Sequence, residues 1–135
     1  MKINFILATV AILLPCLFVS CDADESSEPV VSNPLVGTLW MEHTETAPTY
    51  FEFTGENTVS SWGGYYQNCS GTYAIQGTKV IFSLKRTTSN NKRTLIVTEG
   101  IFSTNTLTVT YYEDFVDINN VLQHTGPFSK RLYKQ

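Results

Sequence analysis

From Leu35 to the C-terminus, apolar and polar residues alternate with a period of two, interrupted roughly every ten residues by clusters of turn-forming residues. Val80, Phe82 and Leu84 share one face of an extended segment, as do Leu107, Val109 and Tyr111, and so do Phe51 and Phe53. Side chains along a strand point to opposite faces in turn, so each such run has one face to bury. The pattern predicts strands over 38–45, 49–54, 58–66, 70–76, 79–85, 92–101, 106–112 and 127–133. Helical periodicity is absent, apart from room for a turn or two within 114–123. Consecutive short strands of this kind predict an all-β fold, an antiparallel up-and-down barrel of eight strands, with a closely related sandwich as the alternative.

The connections orient this barrel. In a meander, alternate connections lie at opposite ends. Short turns at 55–57, 77–78 and 103–105 close one end, and longer loops at 46–48, 86–91 and 113–126, with 67–69, surround a mouth at the other. The inward set is Trp40, Phe51, Phe53, Val59, Tyr73, Ile75, Val80, Phe82, Leu84, Leu95, Val97, Ile101, Leu107, Val109, Tyr111, Phe128 and Leu132. An eight-stranded barrel is just wide enough to be filled or to hold one small ligand. Side chains this bulky predict a mostly filled barrel with a shallow cup at the mouth.

The mouth also gathers aromatic residues with polar tips. Trp62, Tyr65 and Tyr66 end the third strand there, Tyr111, Tyr112 and Phe115 end the seventh, and His124 lies in the long loop. Such side chains suit a sugar ring, an apolar ligand or a protein partner. In the plainer reading, alternate members of each pair simply pack the barrel. Gly63 and Gly64 permit a bulge or a close approach of backbone. Lys85, Arg86, Lys92 and Arg93 flank one loop and Glu113, Asp114 and Asp117 another, which predicts mutual, solvated pairing.

The N-terminus follows a different rule. Lys2 precedes an apolar run from Ile6 to Leu14 that is too short to span a bilayer as a helix, and Pro15 ends it. Leu17-Phe18-Val19-Ser20-Cys21 then reads as a lipoprotein cleavage site, with residues 1–20 removed as a signal peptide and Cys21 carrying lipid. The alternative is an ordinary signal peptide without lipidation. Residues 21–34 follow as a lipidated cysteine and an acidic tether, rich in serine and proline and without aromatics, whose composition predicts disorder. Its acids resemble an export tag for surface lipoproteins. The domain proper is 35–135, and because the chain enters it from the closed end, the mouth should point away from the membrane. Of the three cysteines only Cys69 remains to the domain, so no internal disulfide is available. Acids and bases balance from residue 35 onward, eight of each, which argues against a nucleic-acid partner.

Three stretches resemble a known family. Leu35-Val36-Gly37-Thr38-Leu39-Trp40, Phe51-Glu52-Phe53-Thr54-Gly55-Glu56-Asn57 and Gly71-Thr72-Tyr73-Ala74-Ile75-Gln76-Gly77-Thr78-Lys79-Val80 are similar to bacterial lipocalin-like domain lipoproteins, small envelope-anchored β-barrels. The resemblance implies an anchored binder of a small hydrophobic molecule. It also implies a structural pair, since lipocalins set the tryptophan of their first-strand motif against an arginine late in the last strand. Here those positions are Trp40, in a Gly37-x-x-Trp40 spacing, and Arg131.

Catalysis finds no support in the motifs. There is no nucleophile elbow, phosphate loop, dinucleotide fingerprint or Cys-x-x-Cys. His43, beside Glu42, fits a surface strand, and His124 has no partner nearby in sequence. Asp114, Asp117, Asn119 and Asn120 lack the glycine and terminal glutamate of a calcium loop, so no metal and no cofactor is expected. The sequence thus predicts a non-enzymatic, lipid-anchored lipoprotein of the bacterial outer membrane, facing either the periplasm or the cell surface, that binds a small hydrophobic or carbohydrate ligand at the mouth. The alternative is a protein–protein interaction module of a surface complex.

Overall fold

The computed structural model describes residues 32–44 and 46–135. The leader, Cys21 and all but the last residues of the tether lie outside this range. The described chain forms a closed antiparallel barrel in strict sequence order, β1 (Leu39–Glu42), β2 (Thr49–Phe53), β3 (Thr58–Gly63), β4 (Cys69–Gln76), β5 (Lys79–Thr87), β6 (Arg93–Phe102), β7 (Thr106–Val116) and β8 (Leu122–Lys134). Closure is made by β1 on β8, with Trp40 opposite Lys134 and Glu42 opposite Leu132. All eight expected strands are present, and no helix occurs among the described residues. In particular 114–123 holds a hairpin instead: β7 and β8 run on through what reads in sequence as a long loop, and the connection shrinks to a turn at 117–121.

Inward alternation fills the interior. Trp40, Phe51, Phe53, Phe82, Leu84, Leu95, Val97, Leu107, Val109 and Leu132 form one buried cluster, with Tyr73 and Val80. Edge-to-face rings, Phe53 on Tyr73 at 4.7 Å and Phe51 on Phe82 at 6.0 Å, tie β2 to β4 and β5 through the interior. The bottom is plugged by the segment that leads into β1. Leu35 is fully buried there, the Gly37 N–H donates to the Phe53 carbonyl at 2.8 Å, and the Phe53 N–H returns to Thr38 at 3.0 Å. Asn33 is already bound in, donating to the Tyr73 hydroxyl and the Glu56 carbonyl. The chain therefore enters at the end of the short turns.

Two expected inward residues stand elsewhere. Ile101 is 64% exposed because β6 carries one extra residue, Thr98, between the pairs Val97–Tyr111 and Glu99–Thr110. That bulge reverses the phase, so Gly100 faces the interior, where Phe82 approaches it, and Ile101 faces solvent. Phe128 keeps the inward phase but is 42% exposed, since β1 stops at Glu42 and leaves nothing opposite it.

The pairing of Trp40 with Arg131 does not occur. Trp40 points inward, but β8 presents Leu132 on that face and turns Arg131 outward, where it is exposed. The indole N–H donates instead to the Thr38 hydroxyl at 2.7 Å, two residues back along the same chain. The register that buries Leu132 is what excludes Arg131.

Candidate functional site

Strand length rises steadily around the barrel, from 4, 5 and 6 residues in β1, β2 and β3 to 10, 11 and 13 in β6, β7 and β8. The rim is therefore oblique, low on one side and tall on the other. Above the low rim the inner face of the tall wall has no apolar partner. Besides Phe115 and Phe128, the side chains there are polar, and they continue the same alternation: Tyr111 and Glu113 on β7, Arg93 on β6, Lys130 on β8.

These residues line a cup of about 340 Å³ with Tyr65, Tyr66, Thr88 and Leu95. The Tyr66 hydroxyl donates to the Glu113 carboxylate at 2.6 Å, and Arg93 stands 4.0 Å from the other carboxylate oxygen. Lys130 Nζ bonds Glu42 at 2.9 Å, with both side chains largely buried, and lies 5.8 Å over the Tyr111 ring. Burial first, and then the hydrogen bond to Glu113, pushes the Tyr66 phenol well above its ordinary pKa. Tyr111 is raised by burial and by the charges of Glu113 and Glu42. Both phenols are therefore neutral donors in the cup. A second hollow of about 270 Å³ shares Tyr65, Tyr66 and Lys130 with the cup and continues it toward Glu42 and Thr49.

Beneath Tyr66 lies a residue whose role the sequence reading misassigned. Arg86 is not solvated; it is 1% exposed and carries no carboxylate partner among the described residues. Its Nη2 donates to the carbonyls of Gly63 at 2.6 Å and Tyr66 at 3.0 Å, and its Nε to Gln67 at 3.3 Å. Nη1 is buried and has no hydrogen-bond partner among the described residues. Burial pulls the guanidinium pKa down, yet arginine stays charged in proteins. One side chain thus ties β5 to the whole loop that carries Tyr65 and Tyr66. A signal for this was present, because Arg86 continues the inward series Val80, Phe82, Leu84.

The glycine pair makes the close approach expected of it. Gly63 and Gly64 have φ of 80° and 65°, and a Cβ on Gly63 would stand 2.1 Å from the Pro48 carbonyl oxygen. The turn ends β3 at Gly63, so Tyr65 and Tyr66 are in the loop beyond it. Tyr65 is 82% exposed at the rim.

Of the expected mouth residues, Tyr65, Tyr66 and Tyr111 share the cup. Phe115 stands higher on the tall wall, under the Arg93 guanidinium at 5.4 Å. Trp62, Tyr112 and His124 are on the outside. Trp62 does not share a face with Tyr66: it stacks on Tyr50 of β2, at 5.4 Å and 9° between planes. His124 is not in a loop; it pairs with Asp114 across β7 and β8, bonds its carboxylate through Nδ1, and stacks on Tyr112 at 5.0 Å. The sequence reading missed Glu113, Lys130 and Arg93 as members of the cup and Glu42 as a member of the adjoining hollow, though each is in phase with buried neighbours on its strand. Cys69 is half-buried, and burial raises its thiol pKa. Among the described residues, no three His, Cys, Asp or Glu side chains gather as a metal site.

Comparison with protein-family models, curated proteins and solved structures finds no match to this chain.

Proposed function

We propose that the protein is an envelope lipoprotein, anchored by lipid on Cys21 in a bacterial outer membrane, whose barrel binds a small ring-bearing ligand in the mouth cup and does no chemistry on it. The cup carries this reading: phenol rings of Tyr66 and Tyr111 stand beside Lys130, Arg93 and Glu113 in about 340 Å³, within the usual range of ligand pockets. The filled interior below favours a short, ring-shaped occupant, either a small hydrophobe with polar substituents or a sugar, over a long acyl chain. Lys2, the short apolar run and Ser20-Cys21 support the anchor, as does the similarity to bacterial lipocalin-like domain lipoproteins.

Native mass spectrometry of protein purified from its own membrane tests both parts. The expected spectrum shows a diacyl or triacyl mass on Cys21 and a small adduct that disappears in Tyr111→Ala/Lys130→Ala. A Cys21→Ala chain should remain uncut and fail to label with radioactive palmitate. Normal labelling of that variant would refute the anchor, and an adduct that survives the double substitution would refute the cup.

A second reading, a protein–protein module, is favoured by one observation. The β7–β8 turn lifts Val116, Ile118, Val121 and Leu122 into solvent, with Ile118 98% exposed. Exposed apolar clusters of this kind mark interaction surfaces. Copurification of a surface protein that is lost in Ile118→Asp, with no adduct in the cup, would favour it.

A further inference from the structure

We propose that the outer wall of the barrel carries a separate binding site for a neutral saccharide, in the groove bounded by Trp62 on β3 and Asn68 before β4. The groove measures about 470 Å³, more than the mouth cup, and opens broadly to solvent.

Its construction follows from strand alternation. Phe51, Phe53, Val59 and Ser61 take the buried phase of β2 and β3, so Tyr50, Glu52, Ser60 and Trp62 take the outer one. The core has no use for an indole there. Tyr50 stacks on one side of the Trp62 ring and holds it upright, but Tyr50 does not line the groove, which borders the indole from the other side. Because Ser61 pairs with Cys69, Asn68 is the neighbour of Trp62 on that side. One row along, Glu52, Ser60 and Ser70 lie across three successive strands.

The chemistry around the indole is that of a receptor for hydroxyl groups. The Ser60 and Ser70 hydroxyls bond each other at 3.2 Å, so each retains unused donor or acceptor capacity. Asn68 adds an exposed amide. Glu52 is exposed and makes no salt bridge among the described residues, which leaves its carboxylate free to accept from two hydroxyls. A pyranose presents an apolar face of C–H groups to an aromatic ring and a polar rim of hydroxyls to its surroundings. The groove offers the complements of both, a ring on one side and acceptors and donors along the floor. Its one formal charge is negative, which disfavours anionic sugars. Four of its polar groups sit on or next to paired strands, so the geometry is largely set before binding. An open groove of this kind buries little of its ligand, and the affinity should be in the millimolar range.

Nuclear magnetic resonance of the two indole N–H groups tests this directly. Trp40 is buried and bonded to Thr38, so it serves as the internal control for Trp62. Glucose, galactose, mannose and N-acetylglucosamine are each titrated to about 50 mM, a range that captures millimolar binding. At least one should shift the Trp62 resonance saturably and leave Trp40 in place. Glu52→Gln should weaken that sugar about tenfold, Asn68→Ala should weaken it severalfold, and glucuronic acid should bind worse than glucose. Far-ultraviolet circular dichroism of both variants checks that the barrel is intact. A Trp62 resonance that moves with none of the four sugars overturns the proposal. So does a shift that is unchanged in both variants. Affinity that falls in Lys130→Ala while surviving Glu52→Gln would place the sugar in the mouth and overturn the outer site.

Discussion

The low and tall walls of the barrel obey one alternation and put it to different uses. On β1, β2 and β3 the inward phase is short and mostly apolar: Trp40, then Thr49, Phe51 and Phe53, then Val59 and the small Ser61. On β5 to β8 the same phase starts apolar and turns charged toward the mouth, through Leu84 to Arg86, Val97 and Leu95 to Arg93, Tyr111 to Glu113, and Leu132 to Lys130. The change falls near the level where the low wall ends. The apolar side chains above that level, Phe115 and Phe128, have no opposite wall to bury against and gain little from the hydrophobic effect, and Phe128 is 42% exposed. Glu42, the last residue of β1, is the low wall's charged inward member and meets Lys130 there. The site is thus where one wall outlasts the other.

The bond most responsible for joining the walls should be Arg86. It reaches from the tall side under Tyr66 and holds carbonyls of Gly63, Tyr66 and Gln67, the loop by which the low side returns to β4. Arg86→Met keeps much of the volume and removes all three hydrogen bonds, leaving carbonyls poorly paired. Bonds to charged donors are worth about 1.5–3 kcal/mol each, offset here by relief of the buried charge, so a net loss of about 3 kcal/mol is expected in urea unfolding. The Gln67 amide, which donates to Thr87 at 2.9 Å, should lose exchange protection first. A variant as stable as the parent, with Gln67 still protected, would mean that the walls are joined by backbone pairing alone.

The next effect sharpens the comparison by testing the low wall's terminus. Gly63→Ala must place a Cβ 2.1 Å from the Pro48 carbonyl oxygen at a φ of 80°. Gly77, in the β4–β5 turn, also has positive φ but open space around it. Gly77→Ala should therefore cost only the left-handed penalty of about 1 kcal/mol, whereas Gly63→Ala should cost at least about 2 kcal/mol because the clash adds to it. Equal melting temperatures for the two variants would show that the low rim yields freely.

How far this division can be read from sequence depends on phase. Where alternation is unbroken, the strands, their order and the buried faces of Phe51, Phe53, Val80, Phe82, Leu84, Leu107 and Val109 follow from it directly. The single extra residue at Thr98 is invisible to a period-two pattern, and it puts Ile101 outside. In the upper part of β7 and β8 neither face keeps an apolar series, since Glu113 and Phe115 share one face and Asp114 and Val116 the other, so 113–126 reads as a loop although it is a paired ladder closed by Asp117 to Val121. Arg86, Arg93 and Glu113 are in phase with the buried series of their strands; their charge suggested solvent, and charge decided the reading where phase should have. Trp62 and His124 err the other way, as aromatic character suggested the mouth while phase placed them outside. The Trp40–Arg131 pair came from family resemblance, and the β8 register excludes it.

A smaller effect tests the seam inside the cup. Tyr66→Phe removes the hydroxyl bonded to Glu113 and should cost about 1 kcal/mol. It should also change the alkaline limb of stability. The folded-state pKa of Tyr66 lies above its ordinary value of 10.0, because burial and Glu113 disfavour the phenolate. Its contribution is therefore complete below that value and is lost as pH rises above it, once the unfolded chain ionises more readily than the folded one. Urea midpoints measured from pH 8 to pH 11 should fall less steeply in Tyr66→Phe than in the parent, by roughly the share of this one group. Parallel curves would place the phenol in water and loosen the link between the low-wall loop and β7.

The smallest effect belongs to the far tip of the tall wall, where no low wall faces it. Asp117 organises the β7–β8 turn, its Oδ1 accepting from the amides of Asn119 at 2.8 Å and Val121 at 2.9 Å, and its Oδ2 from Gln123 at 3.1 Å. The Val121 bond above all holds its carboxyl pKa below the usual value. A depressed carboxyl contributes order above the ordinary carboxylate range and loses it as pH falls through the folded-state value. Since Ile118, Asn119, Asn120 and Val121 are all exposed, that loss should stay local. Asp117→Ala at neutral pH should speed amide exchange at Asn119 and Val121 and leave the unfolding midpoint of the barrel unchanged, and acidifying the parent should reproduce the same local pattern. If the midpoint falls with the turn, the tip is not an independent extension, and the tall wall depends on its hairpin for the stability that the low wall draws from the core.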